Sequence, residues 1–207
     1  MGTAGFTALQ CSFATKTTRE ELLLGEKVQD VVVTGASGGV GSMAVMILNK
    51  LGCDVTAVTG KDSNRDYLES IGAKNVVNTS EFMKDARPLD KGLWDGAVDT
   101  VGGKVLENIL SQTKDAGIVA ACGNAVDIKL NTTVMPFIIR GVKLWGINSV
   151  NASIKRRQFL WNEAGKLLDF ETLSKSVKEI DLEEVIDIYP KMLKGETSGR
   201  YIINLDK

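Results

Sequence analysis

One segment constrains the fold more than any other, namely Val31-Val32-Val33-Thr34-Gly35-Ala36-Ser37-Gly38-Gly39-Val40-Gly41. Its β-branched start predicts a buried strand, and its glycines predict a tight turn. Apolar residues then recur at helical spacing as far as Leu51, so a helix is expected to follow the turn. Backbone N–H groups at the helix start attract an anion, while Gly38 and Gly39 let a pyrophosphate approach and Gly41 lets the helix pack closely. Strand, glycine turn and helix in this order therefore predict a nucleotide site, the alternative being an ordinary turn of another α/β protein.

The first 150 residues alternate between strand-like and helix-like segments. Strands are predicted at 31–33, 55–59, 75–78, 94–99, 117–122 and 142–147. Helices are predicted at 43–51, 65–71 and 104–112, and the charged segment 84–91 is a predicted loop. Six strands alternating with helices indicate an α/β fold with a Rossmann-type, doubly wound parallel six-stranded sheet. Such a sheet binds its ligand in a crevice at the carboxyl ends of the strands.

Composition excludes several classes of protein. The 25 basic and 26 acidic residues among 207 are nearly balanced, which argues against a nucleic-acid-binding protein. The absence of histidine removes histidine-based triads, metal sites and proton shuttles. Three widely spaced cysteines are typical of reduced, packed thiols. With no apolar run of membrane-spanning length and no leader segment, a cytoplasmic protein that binds no membrane is expected.

The segment beyond residue 149 departs from the alternation. Ser153 is expected to cap one helix. Asp181 and Glu184 form a predicted capping box that opens a second helix. Pro190 is expected to bend or end that second helix.

The two ends of the chain bear on its domain organisation. A predicted helix at 2–14 follows directly on Met1, so we expect either a truncated chain or one that starts at a domain boundary. A last predicted strand, 201–205, has no evident partner in the six-stranded sheet. We therefore expect a nucleotide-binding domain at 1–150 and a tail at 151–207 that belongs partly to a second domain outside this sequence.

The end of the second strand indicates which dinucleotide binds. NAD sites carry an acidic residue there, which binds the ribose 2′-hydroxyl, but this strand ends in Thr59-Gly60-Lys61. A hydroxyl, a glycine and a cation suit the 2′-phosphate of NADP, and Arg65 is a candidate second cation. In the alternatives, Asp62 binds the ribose of NAD and Arg65 belongs to a solvated helix start. We favour NADP as the cofactor.

Two reductase families share a glycine motif of this kind. Short-chain dehydrogenases need a tyrosine followed four residues later by a lysine. The three tyrosines here have other residues at that spacing, the pairs being Tyr67 with Ile71, Tyr189 with Leu193 and Tyr201 with Leu205. The short-chain family is therefore set aside.

Motifs of another family occur in order along nearly the whole chain. They are Gly2-Thr3-Ala4-Gly5-Phe6-Thr7-Ala8, the glycine segment 33–42, Thr59-Gly60-Lys61, Tyr67-Leu68, Gly72-Ala73, Asp99-Thr100-Val101-Gly102, Ala120-Ala121-Cys122-Gly123, Thr132-Thr133-Val134-Met135-Pro136-Phe137-Ile138 and Gly199-Arg200. With them the chain resembles the cofactor-binding half of the medium-chain dehydrogenase/reductases. Within that family it is similar to the zinc-free quinone oxidoreductase branch, which contains YhdH-type acryloyl-CoA reductases.

This resemblance implies NADPH-dependent reduction of an activated double bond in an enoyl-CoA thioester or a quinone. It also implies a set of cofactor-binding residues. In order along the cofactor they are Ser37, Gly38, Gly39 and Val40 at the pyrophosphate, Thr59, Gly60 and Lys61 at the 2′-phosphate, Thr79 at the adenosine, and Asn124, Ile138 and Ser149 at the ribose and nicotinamide. The alternatives are that Ile138 is a core residue and that Thr79 and Ser149 are loop or cap residues.

The family's amino-terminal GroES-like catalytic domain has no counterpart in this sequence. No catalytic residue is therefore assigned, and no metal ligand is expected. The resemblance also implies a homodimer formed through the edge of the sixth strand, which carries Trp145.

Two other classes of function stay open, namely a stand-alone module that binds or senses NADPH without catalysis and a structural fragment that pairs with itself. The strand 201–205, without a partner in the sheet, and an uncovered apolar face favour the reductase.

Overall fold

The computed structural model describes residues 2–22 and 25–205. Its main sheet has six parallel strands, β1 Asp30–Val33, β2 Asp54–Thr59, β3 Asn75–Asn78, β4 Trp94–Asp99, β5 Thr113–Ala121 and β6 Lys143–Gly146. These strands lie side by side in the order β3-β2-β1-β4-β5-β6. The connection reverses direction between β1 and β4, which opens a crevice at the carboxyl ends of those two strands. The predicted Rossmann-type sheet is thus confirmed.

Helices cover both faces of this sheet. The helices of the described residues are α1 Gly2–Phe13, α2 Arg19–Leu22, α3 Gly39–Lys50, α4 Arg65–Ser70, α5 Gly103–Ser111, α6 Met135–Arg140, α7 Ile154–Leu167, α8 Phe170–Ser174 and α9 Val185–Leu193. The predicted amino-terminal helix is longer than expected, because a π-helical segment, Ala14–Thr18, joins α1 directly to α2. No helix within 2–22 and 25–205 has the length and apolar character needed to cross a lipid bilayer.

The alternation of side chains along β1 separates two hydrophobic cores. Val31 and Val33 belong to a buried cluster on one face that also contains residues of α1, α3 and α7, whereas Val32 belongs to a second cluster with α5 on the other face. A buried strand between two helical layers has to be apolar on both faces, which is why β1 is an unbroken run of valine. This burial fixes the position of the glycine turn that follows Val33.

Strand β5 differs most from its prediction, since it begins at Thr113 rather than at residue 117. Its early part is irregular, with a register shift against β4 between Trp94 and Gly96 and a positive φ of 53° at Ala116. The apolar pattern used for the prediction is confined to the regular part, from Gly117 onward.

The carboxyl-terminal tail bears on three expectations. The last strand, β8 Arg200–Asn204, has a partner within this chain, because it pairs in parallel with β7 Val177–Asp181. Asp181 ends β7, and one bond of the predicted capping box forms, from the Asp181 N–H to the Glu184 carboxylate at 2.9 Å. Helix α9 itself begins later than predicted, at Val185. Pro190 does not end α9, which continues to Leu193. The carbonyl that loses its N–H donor to this proline lies on an exposed helix, where water can serve instead.

Candidate functional site

The glycine turn leaves the start of α3 open. Gly35 has a φ of +57°, which favours glycine, and the Gly38 N–H donates to the Gly35 carbonyl at 3.0 Å. Helix α3 begins at Gly39, and no side chain caps it. Its first N–H groups have no intrahelical acceptor and face the crevice above β1. The predicted residues Ser37, Gly38, Gly39 and Val40 therefore form one continuous backbone surface suited to an anion.

Two glycines of this turn, Gly41 and Gly38, differ in the space around them. A side chain on Gly41 would collide with the backbone of Gly35 and Ala36, so Gly41 is required by the protein itself. A Cβ on Gly38 would lie 3.2 Å from the Gly35 carbonyl oxygen, with nothing else within 4 Å. The space beyond Gly38 is thus open, as a ligand that approaches the backbone requires.

The end of β2 lies beside this turn. Ser37 Oγ is 3.3 Å from Thr59 Oγ1, so the two predicted hydroxyl residues share one edge of the crevice. A Cβ on Gly60 would meet no described atom within 4 Å. Lys61 is half-buried and forms no ion pair among the described residues. This group provides a free cation and hydroxyls next to the open helix start.

Arg65 and Asp62, which follow Lys61 in the sequence, have hydrogen-bond partners of their own. The Arg65 guanidinium donates to the Val76 carbonyl at 3.1 Å and lies 3.6 Å from Glu69, so its expected role as a second cation at the site has no support. Asp62 accepts a hydrogen bond from Asn78 Nδ2 at 2.9 Å. Thr79 begins a short 3-10 segment whose cap is Asn78, and it lies half-buried at the end of β3.

Asp99 ties β1 to β4 at the point where the strand order reverses. Thr34 Oγ1 donates to one carboxylate oxygen at 2.6 Å, and the Gly102 N–H donates to the other at 3.0 Å. Burial raises the pKa of Asp99, although these two donors oppose the change. The Asp99 carboxylate thus holds together the carboxyl ends of β1 and β4, which border the crevice.

A cleft of about 620 Å³ lies at the carboxyl ends of β5 and β6. It is lined by Ala121, Cys122, Gly123, Asn124, Gly146, Ile147, Asn148, Ser149 and Val150. Two predicted residues, Asn124 and Ser149, therefore meet in one cavity. Ile138 is placed differently, since it is 68% exposed on α6 and lies neither in the core nor on the lining of this cleft.

Arg200 was missed as a site residue in the sequence, although it stands in a motif that carries the resemblance. Its guanidinium donates to the Gly39 carbonyl, and the neighbouring Gly199 N–H donates to the Ser37 carbonyl at 2.9 Å. The Nε atom of Arg200 is buried without a hydrogen-bond partner among the described residues. The Arg200 guanidinium thus contacts the turn that is predicted to bind the pyrophosphate.

Residues 39–165 match the family model described as zinc-binding dehydrogenase. The probable acrylyl-CoA reductase AcuI of Escherichia coli is 43% identical over 208 residues, which cover 100% of this chain and 62% of that protein. The chain therefore spans less than two thirds of the length of this relative.

Solved structures agree with this match. The YhdH oxidoreductase of Salmonella enterica, in complex with NADP, superposes with a TM-score of 0.91 at 43% identity, over 99% of this chain and 61% of that one. The Bacillus subtilis protein YhfP, with NAD bound, gives a TM-score of 0.87 at 39% identity, again over 99% of this chain and 61% of that one.

The family is described as zinc-binding, so groups of side chains that could hold a metal ion are relevant here. Within residues 2–22 and 25–205, no three histidine, cysteine, aspartate or glutamate side chains are grouped so as to hold a metal ion. The donor set of a zinc site is thus not assembled in this part of the chain.

The family model covers more than half of the chain, and the superposition extends over nearly all of it. The chain therefore belongs to the zinc-binding dehydrogenase family and corresponds to the cofactor-binding half of its acrylyl-CoA reductase and quinone oxidoreductase members.

Proposed function

We propose that this protein binds NADPH and takes part in the reduction of an activated carbon–carbon double bond. The substrate would be an enoyl-CoA thioester of the acryloyl type or a quinone. The observation that carries the proposal is the open α3 start beside Thr59 and Lys61, in a fold that matches an NADP complex closely. The names of the relatives AcuI and YhfP support the two substrate classes.

The predicted residues divide the proposed cofactor site into two ends. We assign Ser37, Gly38, Gly39 and Val40 to the pyrophosphate, Thr59, Gly60 and Lys61 to the 2′-phosphate, Thr79 to the adenosine, and Asn124, Ile138 and Ser149 to the ribose and nicotinamide. Arg200 joins the pyrophosphate group, because its unpaired Nε and its contact with Gly39 place positive charge there. Ile138 is the weakest member of the set, since it does not line the cleft.

The chain's own residues bind and orient in this proposal. When bound, NADPH supplies the hydride, which in the case of an enoyl thioester is added at the β-carbon, with a proton added at the α-carbon. Asp99 and Thr34 keep the two halves of the crevice in register, and the cleft beside Asn124 and Ser149 shelters the reacting end. We assign no catalytic residue.

We propose two functional parts, a nucleotide-binding domain at 1–150 and a segment 151–207 that completes it and contacts a catalytic domain. The bond from the Gly199 N–H to Ser37 supports contact of the tail with the site. Ile202 and Ile203 on β8 are partly exposed apolar residues that a further domain could cover. The enzyme would act in the cytoplasm, where the reduced nicotinamide pool is available.

The alternative function is a stand-alone module that binds or senses NADPH. The sequence argument against it relied partly on an unpaired last strand, and the pairing of β7 with β8 removes that part. The exposed isoleucines of β8 still favour the reductase. Turnover of acryloyl-CoA or a quinone with NADPH by the full enzyme would decide for the reductase, and binding without turnover would favour the module.

Replacement of Lys61 by alanine tests the proposed cofactor. We expect the wild-type protein to bind NADPH more tightly than NADH, and Lys61→Ala to weaken NADPH binding by about tenfold or more, because it removes a charge-assisted bond to the 2′-phosphate. NADH binding should be unchanged. Calorimetric titration with both cofactors measures the preference.

Arg65→Ala is the matched control for this titration, because Arg65 is turned toward Val76 and Glu69. It should leave the ratio of the two affinities as it is. Equal affinity of the wild-type protein for NADPH and NADH would contradict the role of Thr59-Gly60-Lys61 and would fit the NAD seen in YhfP.

We further propose a homodimer formed through β6. This strand is the edge of the sheet, all four of its residues are exposed, and it carries Leu144 and Trp145. We expect the wild-type protein to be a dimer by light scattering and Leu144→Lys to be a folded monomer, since a charge on an edge strand opposes pairing. A monomeric wild-type protein, or a dimeric variant, would rule this edge out.

A further inference from the structure

Arg157 on α7 holds the loop that follows β6. Its Nη2 donates to the carbonyls of Ser149 at 2.7 Å and Val150 at 3.0 Å, and its Nε donates to the carbonyl of Ala152 at 3.2 Å. One guanidinium thus binds three carbonyls within four residues of the same loop. Such a fork fixes the orientation of a backbone more strictly than a single bond does.

The Arg157 guanidinium also makes a cation–π contact. It lies over the ring of Phe6, with the central carbon 4.7 Å from the ring centroid. Phe6 is fully buried in α1 and stacks on Trp161 with a centroid distance of 5.8 Å. The position of Arg157 is therefore set by two helices, α1 and α7, neither of which lines the cleft.

The loop has a second internal support. Asn148 Oδ1 accepts hydrogen bonds from the Val150 N–H at 2.9 Å and the Asn151 N–H at 3.2 Å. Residues 148–150, which are part of the cleft lining, are thus held both by the Asn148 side chain and by the Arg157 guanidinium. Removal of the fork would leave the turn intact but free the carbonyls of Ser149 and Val150.

The neighbouring cations serve as a contrast. Lys155 and Arg156 are exposed on the same helix, and neither donates a side-chain hydrogen bond to this loop among the described residues. The sequence alone predicts that residues 155–157 all lie on the solvated face of a helix. In the structure, Arg157 differs from Lys155 and Arg156 because its guanidinium is bonded to the loop.

We propose that Arg157 is a positioning residue, which acts through the loop 148–150 to present Ser149 to the nicotinamide half of the cofactor. The inference rests on the proposed function. Lys61 and Thr79 place the adenosine end at β2 and β3, so the opposite end of the crevice, at β5 and β6, receives the nicotinamide. Arg157 therefore affects one end of the site only.

A comparison of two ligands separates positioning from general stability. NADPH spans the whole site, whereas 2′,5′-ADP has the adenosine and the 2′-phosphate but no nicotinamide. We expect Arg157→Met to weaken NADPH binding by about tenfold, as loss of the charged bonds to the loop predicts, and to leave 2′,5′-ADP binding unchanged. Arg157→Lys keeps the charge over Phe6 without the fork and should give an intermediate affinity. Titration calorimetry measures both ligands.

Lys155→Met is the control, and it should bind both ligands like the wild-type protein. Equal weakening of NADPH and 2′,5′-ADP in Arg157→Met would overturn the inference, since it would show a merely structural role. Unchanged NADPH binding would overturn it as well. A wild-type protein that binds neither ligand would overturn the proposed function and, with it, this inference, whereas the other outcomes leave the proposed function standing.

Discussion

Replacement of Gly41 by alanine is expected to destabilise the fold by about 3 kcal/mol, because the new methyl group has no space. Its Cβ would lie 2.7 Å from Ala36 Cα and 2.8 Å from the Gly35 carbonyl carbon, and closer still to the Gly35 oxygen. All three atoms belong to the backbone of the turn, so no side chain can move aside. The start of α3 would have to shift away from β1, and the phosphate-binding turn would shift with it. Urea denaturation followed by circular dichroism measures the loss.

Gly39→Ala is the matched control, two residues earlier in the same helix. A Cβ there has the Arg200 guanidinium at 3.6 Å and Ala4 Cβ at 3.8 Å as its nearest neighbours, which are ordinary contact distances. Its stability should therefore equal or slightly exceed that of the wild-type protein, since alanine favours the helix. A Gly41→Ala variant that unfolds at the wild-type urea concentration would contradict the packing role of Gly41.

The central strands β1, β2 and β4 could be predicted from sequence because each is a buried run next to a turn signal. The valine run of β1 and the segment 94–99 of β4 carry enough apolar residues to be found without knowledge of their neighbours. Strand β7 could not be found in this way, since Val177-Lys178-Glu179-Ile180-Asp181 has only two apolar residues. It exists because β8 pairs with it, and that pairing is a long-range property.

The candidate site shows the same division. The glycine turn and Thr59-Gly60-Lys61 are contiguous motifs, and the structure brings them together as expected. Arg200 lies 161 residues from the Gly39 carbonyl that it contacts, so no local pattern could show that the two meet. Arg65 illustrates the opposite error, because its spacing suits the site but its guanidinium is bound to Val76. Sequence gives the chemistry of a side chain, whereas its direction depends on tertiary contacts.

Replacement of Asp95 by asparagine is expected to cost about 3 kcal/mol of stability, the second large effect, because it leaves a buried arginine without its carboxylate. Asp95 lies at the amino ends of the strands, opposite the candidate site, and its Oδ1 is 3.6 Å from Arg19 and 3.4 Å from Lys114. Its Oδ2 accepts the N–H groups of Gln29 at 2.9 Å and Asp30 at 2.8 Å. Asparagine can keep those two bonds through its carbonyl oxygen, so the variant isolates the loss of charge. Among the described residues, Arg19 then has no counter-charge, whereas Lys114 also pairs with Asp30 at 2.6 Å.

The pH dependence of this effect follows from the pKa of Asp95. Burial raises that pKa, but the N–H groups of Asp30 and Gln29 and the charges of Lys114 and Arg19 outweigh it, so the pKa in the folded protein lies below its usual value. A lowered carboxyl pKa stabilises the fold above the unfolded-state value of about 3.9, and this contribution is lost as the pH falls through the folded-state pKa. The stability difference between the wild-type protein and Asp95→Asn should therefore be full at pH 7 and shrink below pH about 4. Asp85→Asn removes an exposed partner of Lys104 and should change stability little at either pH. A difference for Asp95→Asn that stays constant down to acid pH would show that lost packing, rather than the buried charge, accounts for it.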